Sequence, residues 1–247
     1  YPITTAEITG IGVLNCLEAL RQVKPDCRFY FAGSSEQFGN PIKNGKVLSL
    51  NEDTPMEPES PYAAAKVFGF NISQVYRRSF GMFTACGILF NHESPLRGEE
   101  FVTRKITSNL ARVKWGLQEF VELGNMEAKR DWGFAGDYVK AMHGILQLDE
   151  PDDFVIATGS THAVHKFFDA CCAWYDLDPN KAYKINPAFK RPKDIDVLLG
   201  DSTKARRVLG WEPTCTFDML VDKMCRYDYY LQSPDPDMFR RADEFLF

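Results

Sequence analysis

Residues 60–66 read Ser60-Pro61-Tyr62-Ala63-Ala64-Ala65-Lys66, which has the form of a helix start. Ser60 suits an N-cap, where a side-chain oxygen takes one of the first free amide hydrogens. Pro61 suits the first helical position, where no amide hydrogen is needed. The alanines favour helix, and the pattern runs to about Ser79, with Gly81 to stop it. Tyr62 and Lys66 then share one face, one turn apart. An ammonium near a phenol favours the phenolate, which would equip Tyr62 to take a proton from an alcohol. The same pattern also fits a surface tyrosine and lysine on an ordinary helix.

Working outward, apolar runs lie on both sides. Cys27 to Ala32 and Met82 to Phe90 read as buried strands. Strand, helix and strand in succession make a βαβ unit and imply a parallel sheet. An earlier helix is expected from Ala6 to Val23, with Ile8, Ile11, Leu14, Leu17 and Leu20 at helical spacing and Pro25 beyond its end. Asp153 to Gly159 reads as a further strand. Phe217, Leu220, Val221 and Met224 read as a C-terminal amphipathic helix. The first strand runs into Gly33-Ser34-Ser35-Glu36-Gln37-Phe38-Gly39. In open α/β sheets ligands sit outside the carboxyl ends of the strands. Ser34 and Glu36 therefore fall where chemistry is expected, although a plain turn of small polar residues would read the same.

Composition bounds the function. The 247 residues are 45% hydrophobic and 26% charged, enough for one sizeable core or one and a half domains. A net charge of -5 argues against a general nucleic-acid binder and leaves room for a local basic pocket. No apolar run approaches the roughly 20 residues of a bilayer crossing. The first residues lack signal-peptide character and an initiator Met, so a fragment or processed product is expected. The seven cysteines, adjacent only at Cys171-Cys172, form neither metal-ligand spacing nor a disulfide framework. They indicate a reducing, cytoplasmic compartment. Cys171 and Cys172 fall at helical spacing with Phe167, Phe168 and Trp174 and read as core. His143, His162 and His165 show no ligand pattern, and no metal is expected.

The most specific stretch is Gly87-Ile88-Leu89-Phe90-Asn91-His92-Glu93-Ser94-Pro95-Leu96-Arg97-Gly98, followed by Phe101-Val102-Thr103-Arg104-Lys105-Ile106. With the Ser34/Glu36 loop and Tyr62/Lys66, it resembles the GDP-mannose 4,6-dehydratases of the extended short-chain dehydrogenase/reductase superfamily. The resemblance continues through Lys129-Arg130-Asp131-Trp132-Gly133, Arg191-Pro192 and Asp194 to about Leu231. It implies a Rossmann-like, doubly wound parallel α/β sheet with a smaller C-terminal nucleotide-sugar-binding region. Residues 1–100 would be the C-terminal part of the Rossmann-like NADP-binding domain, without its N-terminal strands. Residues 101–232 would be mainly substrate-binding, with returns to the sheet, and 233–247 would be a tail.

The resemblance also implies a lyase that dehydrates GDP-mannose by internal hydride transfer through bound NADP. Ser34, Glu36, Tyr62 and Lys66 would be catalytic. Tyr62, Lys66, His92 and Arg97 would contact the cofactor. Asn91, Val102, Lys105, Arg130, Arg191 and Asp194 would contact the GDP-sugar. A structural role for His92 and solvated positions for Lys105, Arg130 and Arg191 fit the residues as well. A homo-oligomer, or a partner covering the sheet, is implied, with neither nucleic acid nor a membrane span.

Departures from the family pattern are specific. Its glycine-rich Gly-x-x-Gly-x-x-Gly turn, which holds the adenine half of the cofactor, has no counterpart in these residues. Ser34 stands where the family usually has Thr. Gly33, Gln37 and Phe38 stand where it has Ser, Leu and Tyr. Ser233 to Phe247 has no recognised counterpart and is expected to be a docking arm. These departures also suit a non-catalytic structural or assembly subunit of a larger complex.

Overall fold

The computed structural model describes residues 1–43, 45–189 and 195–246. Its helices, in chain order, are α1 Pro2–Val23, α2 Pro61–Phe80, α3 Val102–Lys114, α4 Ala135–Ile145, α5 Val164–Tyr175, α6 Thr203–Leu209, α7 Phe217–Leu231 and α8 Pro236–Arg240. Contacts divide the chain into two units. The first takes Tyr1–Asn91, Asp137–Ser160 and Val197–Glu212, and the second takes His92–Gly136, Thr161–Asp196 and Pro213–Phe247.

The first unit is built on a parallel sheet of β1 Phe29–Ser34, β2 Thr84–Leu89 and β3 Asp153–Ile156, in that spatial order. Phe29 pairs with Thr84 and Ser34 with Leu89, while Cys86 pairs with Asp153. All six residues of β2 are buried, as expected of a strand covered on both faces. One face packs on α4 and α6 through Ala85, Leu89, Phe154, Tyr138, Ala141 and Ala205. The opposite side carries α1 and α2, where Leu17, Tyr76 and Met82 pack with Phe29 and Ile72. This is the α/β Rossmann-like arrangement that the sequence implied. β1 starts two residues later than the apolar run and reaches Ser34, because its pairing continues to Leu89.

Helix α2 is fixed at both ends as its sequence suggests. Ser60 has extended backbone, its Oγ accepts from the Ala63 amide at 3.0 Å, and Gly81 ends the helix in the left-handed conformation. Gly69 sits against the Phe31 ring of β1, where a Cβ would collide with the aromatic carbons. A glycine there lets α2 lie close on the strand that leads to Ser34.

Helix α1 begins at Pro2 rather than Ala6, and Ala6–Ile11 has π-type turns within it. By length and composition it is long and apolar enough to cross a bilayer. In this unit it is an outer-layer helix, with Leu17 fully buried and Gly10 against Ala65 and Phe68 of α2.

The second unit packs α3, α5 and α7 around Ile106, Leu110, Phe167, Phe168, Leu220 and Met224. Cys171 and Cys172 are both fully buried in that core. The last residues differ from the docking arm expected of them. Through α8 and the turn Ala242–Phe245 they fold back on α7. Ala242 is buried, and the Phe245 ring stacks on Tyr230 at 4.5 Å. The apolar Phe245 and Ala242 explain the difference, since α7 offers them a surface.

Candidate active site

Ser34 closes β1 and caps the short turn Ser35–Phe38. Its Oγ accepts from the Glu36 amide at 3.3 Å, and its own amide donates to Gln37 Oε1 at 2.6 Å. This reciprocal capping box fixes the backbone that carries Glu36. Gln37 is fully buried, and a Cβ on Gly33 would lie 2.7 Å from its Oε1. Two of the departures from the family pattern, Gly33 and Gln37, are therefore one steric arrangement.

Glu36 reaches the next element. Its Oε2 accepts from Ser60 Oγ at 3.4 Å. Ser60, read from the sequence only as a cap, thus also touches a candidate catalytic carboxylate. Its place before the Tyr62 helix was the available signal. Tyr62 is 40% exposed at the start of α2, so a ligand hydroxyl can reach it. Lys66 is half-buried one turn on, with its ammonium 5.6 Å from the Tyr62 ring centroid and 5.3 Å from that of Phe31. It donates to the Ala32 carbonyl at 2.8 Å. Burial lowers the Lys66 pKa, opposed by the nearby Cys86. The first unit thus gathers Ser34, Glu36, Tyr62 and Lys66 on two adjoining elements.

Asn91, half-buried, ends the first segment of the first unit. The other described candidate contacts lie in the second unit. His92 is half-buried. The Arg97 guanidinium lies 3.5 Å from the Phe101 ring centroid, and its Nε is 3.3 Å from Glu93 Oε2. Glu93 is buried, which raises its pKa, and accepts from Thr103 Oγ1 at 2.5 Å. Val102 packs against the core of this unit. Lys105 places its ammonium 3.5 Å from the Phe189 ring centroid, and burial lowers its pKa. Arg130 donates to the carbonyls of Lys129 at 3.0 Å and Ile195 at 2.6 Å, so part of its fork is committed to backbone. Arg191 and Asp194 lie outside the described residues.

His162 stacks on Phe217 at 3.8 Å, and His165 Nδ1 lies 3.3 Å from the Met126 carbonyl. Among the described residues no cluster of three His, Cys, Asp or Glu could hold a metal ion.

The family description GDP-mannose 4,6 dehydratase matches residues 1–224. The chain belongs to the GDP-mannose 4,6 dehydratase family. GDP-mannose 4,6 dehydratase of Drosophila melanogaster is 43% identical over 253 residues, covering 94% of this chain and 62% of the relative. GDP-mannose 4,6 dehydratase 2 of Arabidopsis thaliana is 45% identical over 234 residues, covering 93% and 61%. The Homo sapiens protein is 39% identical over 252 residues, covering 94% and 67%. The chain thus spans about three-fifths of the length of the first two relatives.

Solved structures share the fold. RMD from Pseudomonas aeruginosa, complexed with NADPH, superposes with a TM-score of 0.83 at 20% identity, over 92% of this chain and 75% of that one. dTDP-glucose 4,6-dehydratase from Bacillus anthracis, in complex with NAD, gives 0.81 at 17% identity, over 98% and 73%. The GDP-mannose 4,6 dehydratase match ends at Met224, inside α7, so Asp228 and the folded-back tail lie beyond it.

Proposed function

We propose that this chain supplies the catalytic residues of a GDP-mannose 4,6-dehydratase that works through a bound nicotinamide dinucleotide, NADP. Family membership supports the reaction. The observation that carries the assignment of residues is the Glu36–Ser60 hydrogen bond, which joins the Ser34/Glu36 turn to the Tyr62/Lys66 helix.

The donor set fits the nicotinamide half of such a cofactor. Lys66 offers a half-buried ammonium beside Tyr62, and its present partner is a carbonyl that a ribose hydroxyl could replace or share. A nicotinamide held there would supply reversible hydride transfer, out from C4 of the sugar and back to C6. Tyr62 accepts the proton of the 4-hydroxyl. Lys66 favours the phenolate that does so. Ser34 donates to the oxygen at C4 as it becomes a carbonyl. The ketone acidifies the C5 proton, which Glu36 removes, and the same carboxyl passes that proton to the departing C6 hydroxyl, which leaves as water; C5 regains a proton as the hydride reaches C6, and this balances the one that Tyr62 took from the 4-hydroxyl. Two bases are needed because protons leave two different atoms. His92 and Arg97 are assigned to the cofactor. Asn91, Val102, Lys105, Arg130, Arg191 and Asp194 are assigned to the GDP-sugar, and the cations among them suit its pyrophosphate.

Exposed Ile8 and Ile11 on α1, with Phe68 and Val75 on α2, support an interface with a second copy or a partner. Seven free thiols, five of them buried or nearly so, favour a cytoplasmic location.

Calorimetric titration with NADPH and then GDP-mannose, beside an assay for the 4-keto-6-deoxy product, tests the reading. Binding of both, with product that is lost in Tyr62→Phe, is the expected result. A folded chain that binds neither would overturn it.

A further inference from the structure

Arg104 and Asp228 form a buried ion pair within the second unit. Arg104 lies on α3, between Val102 and Lys105, and Asp228 lies on α7. Arg104 Nε is 2.9 Å from both carboxylate oxygens, Nη2 is 2.8 Å from Oδ1, and Thr107 Oγ1 donates to Oδ2 at 2.6 Å. The remaining nitrogen, Nη1, points away from Asp228. It donates to the Pro95 carbonyl and, at 3.0 Å, to the Arg97 carbonyl.

A buried ion pair is a poor way to gain stability. Desolvation of both charges offsets most of their attraction, and an apolar pair of like volume would serve as well. What an apolar pair cannot do is hold two carbonyls of a loop. Residues 94–98 otherwise have short-range bonds, from the Leu96 amide to Ser94 Oγ at 3.1 Å and from the Arg97 amide to the Ser94 carbonyl at 3.0 Å. Arg97 is thus gripped twice. Arg104 holds its backbone, and Glu93 with Phe101 holds its guanidinium.

We propose that Asp228 is a positioning residue, which through Arg104 fixes the backbone of residues 94–98 and so presents Arg97 to a phosphate-bearing dinucleotide. The identity of that ligand rests on the functional reading above, whereas the tether of the loop does not.

Arg104→Lys is the direct test. It keeps the charge opposite Asp228 but lacks the fork that reaches both the carboxylate and the loop. The pair Arg104→Met with Asp228→Leu removes both charges together and keeps the core filled. Amide hydrogen exchange at Leu96 and Arg97 is compared with that at Leu110 and Phe168. In both variants the loop amides should exchange about ten- to hundredfold faster, as expected for losing one or two charge-assisted hydrogen bonds, with the core amides nearly unchanged. NADPH affinity should fall about tenfold and GDP-mannose affinity less than about twofold. Loop protection equal to wild type, or a loss shared equally with the core or by both ligands, would overturn the proposal. If wild-type chain binds no NADPH, the functional reading fails and the exchange pattern alone decides the tether.

Discussion

Lys66 donates from Nζ to the carbonyl of Ala32, at 2.8 Å, two residues before Ser34. One side chain therefore bridges the helix that carries Tyr62 and the strand that ends in Ser34. Its stem and ammonium lie by Phe31, the ring on which Gly69 seats the helix. Losing this ammonium removes a positive charge from Tyr62 and a link between the two elements. Lys66→Met is expected to lower turnover about 10²- to 10⁴-fold, in line with the loss of an assisted proton transfer. Far-ultraviolet circular dichroism should be unchanged. Steady-state kinetics of the two proteins checks this, and turnover within about twofold of wild type would remove Lys66 from the mechanism.

Ser60 serves two groups, the Ala63 amide and the Glu36 carboxylate. Ser60→Ala should cost about 1 kcal/mol of stability, the usual loss for an N-cap. It should also reduce turnover beyond what that loss explains, because Glu36 is freed. Ser60→Asp keeps the cap but sets a second carboxylate beside Glu36. It should recover stability in urea denaturation without recovering activity.

Gly33 and Gln37 are expected to behave as one unit. Gly33→Ser would force its Cβ against Gln37 Oε1 and Cys86 Sγ, which lie 2.7 and 3.0 Å from the ideal position. Overpacking of this kind costs about 1–3 kcal/mol. Combining it with Gln37→Leu, the pairing that the family resemblance implies, should recover part of that cost. A double-mutant cycle by chemical denaturation should show coupling of about 0.5–3 kcal/mol. Additive effects would mean that the two positions are independent.

Gly69→Ala sets helix propensity against packing. Alanine in a helix interior gains about 1 kcal/mol over glycine. Here the added methyl meets the Phe31 ring, so a net loss of about 1–2 kcal/mol is expected, as for other overpacked cores. Phe31→Leu should relieve it, and thermal melts of the three variants give the answer.

Asp228 gives a pH prediction. Burial pushes its carboxyl up to about 6, against the opposing pull of Arg104 and Thr107 and with Glu99 adding to the rise. Tyr227, Tyr175 and Cys171 are the other titratable groups close to it. The folded state therefore holds this proton more tightly than the unfolded chain. Between the unfolded value near 4 and about 6 the folded state carries the extra proton, so this group makes stability fall as pH rises through that window. Above about 6 its contribution is flat. Subtracting the stability–pH curve of Asp228→Asn from that of wild type, by urea unfolding between pH 4 and 7, should isolate a negative slope. A difference curve that is flat or rising would contradict it.

Local sequence determined the elements of this protein. The cap at Ser60, the proline after it and Gly81 set the length of α2 through backbone groups that lie next to them in the chain. Apolar runs set β1 and β2, and the motif over 87–106 is where most of the proposed nucleotide contacts were read. These signals are readable because capping, helix spacing and strand burial depend on neighbours a few residues away. The tertiary structure decided the partners. Glu36 meets Ser60 across 24 positions, Lys66 meets Ala32 across 34, and Arg104 meets Asp228 across 124. The tail likewise lies on α7 rather than extending outward. No periodicity encodes such pairs, because they arise only when packing brings distant backbone together and desolvation makes each buried polar group take a partner.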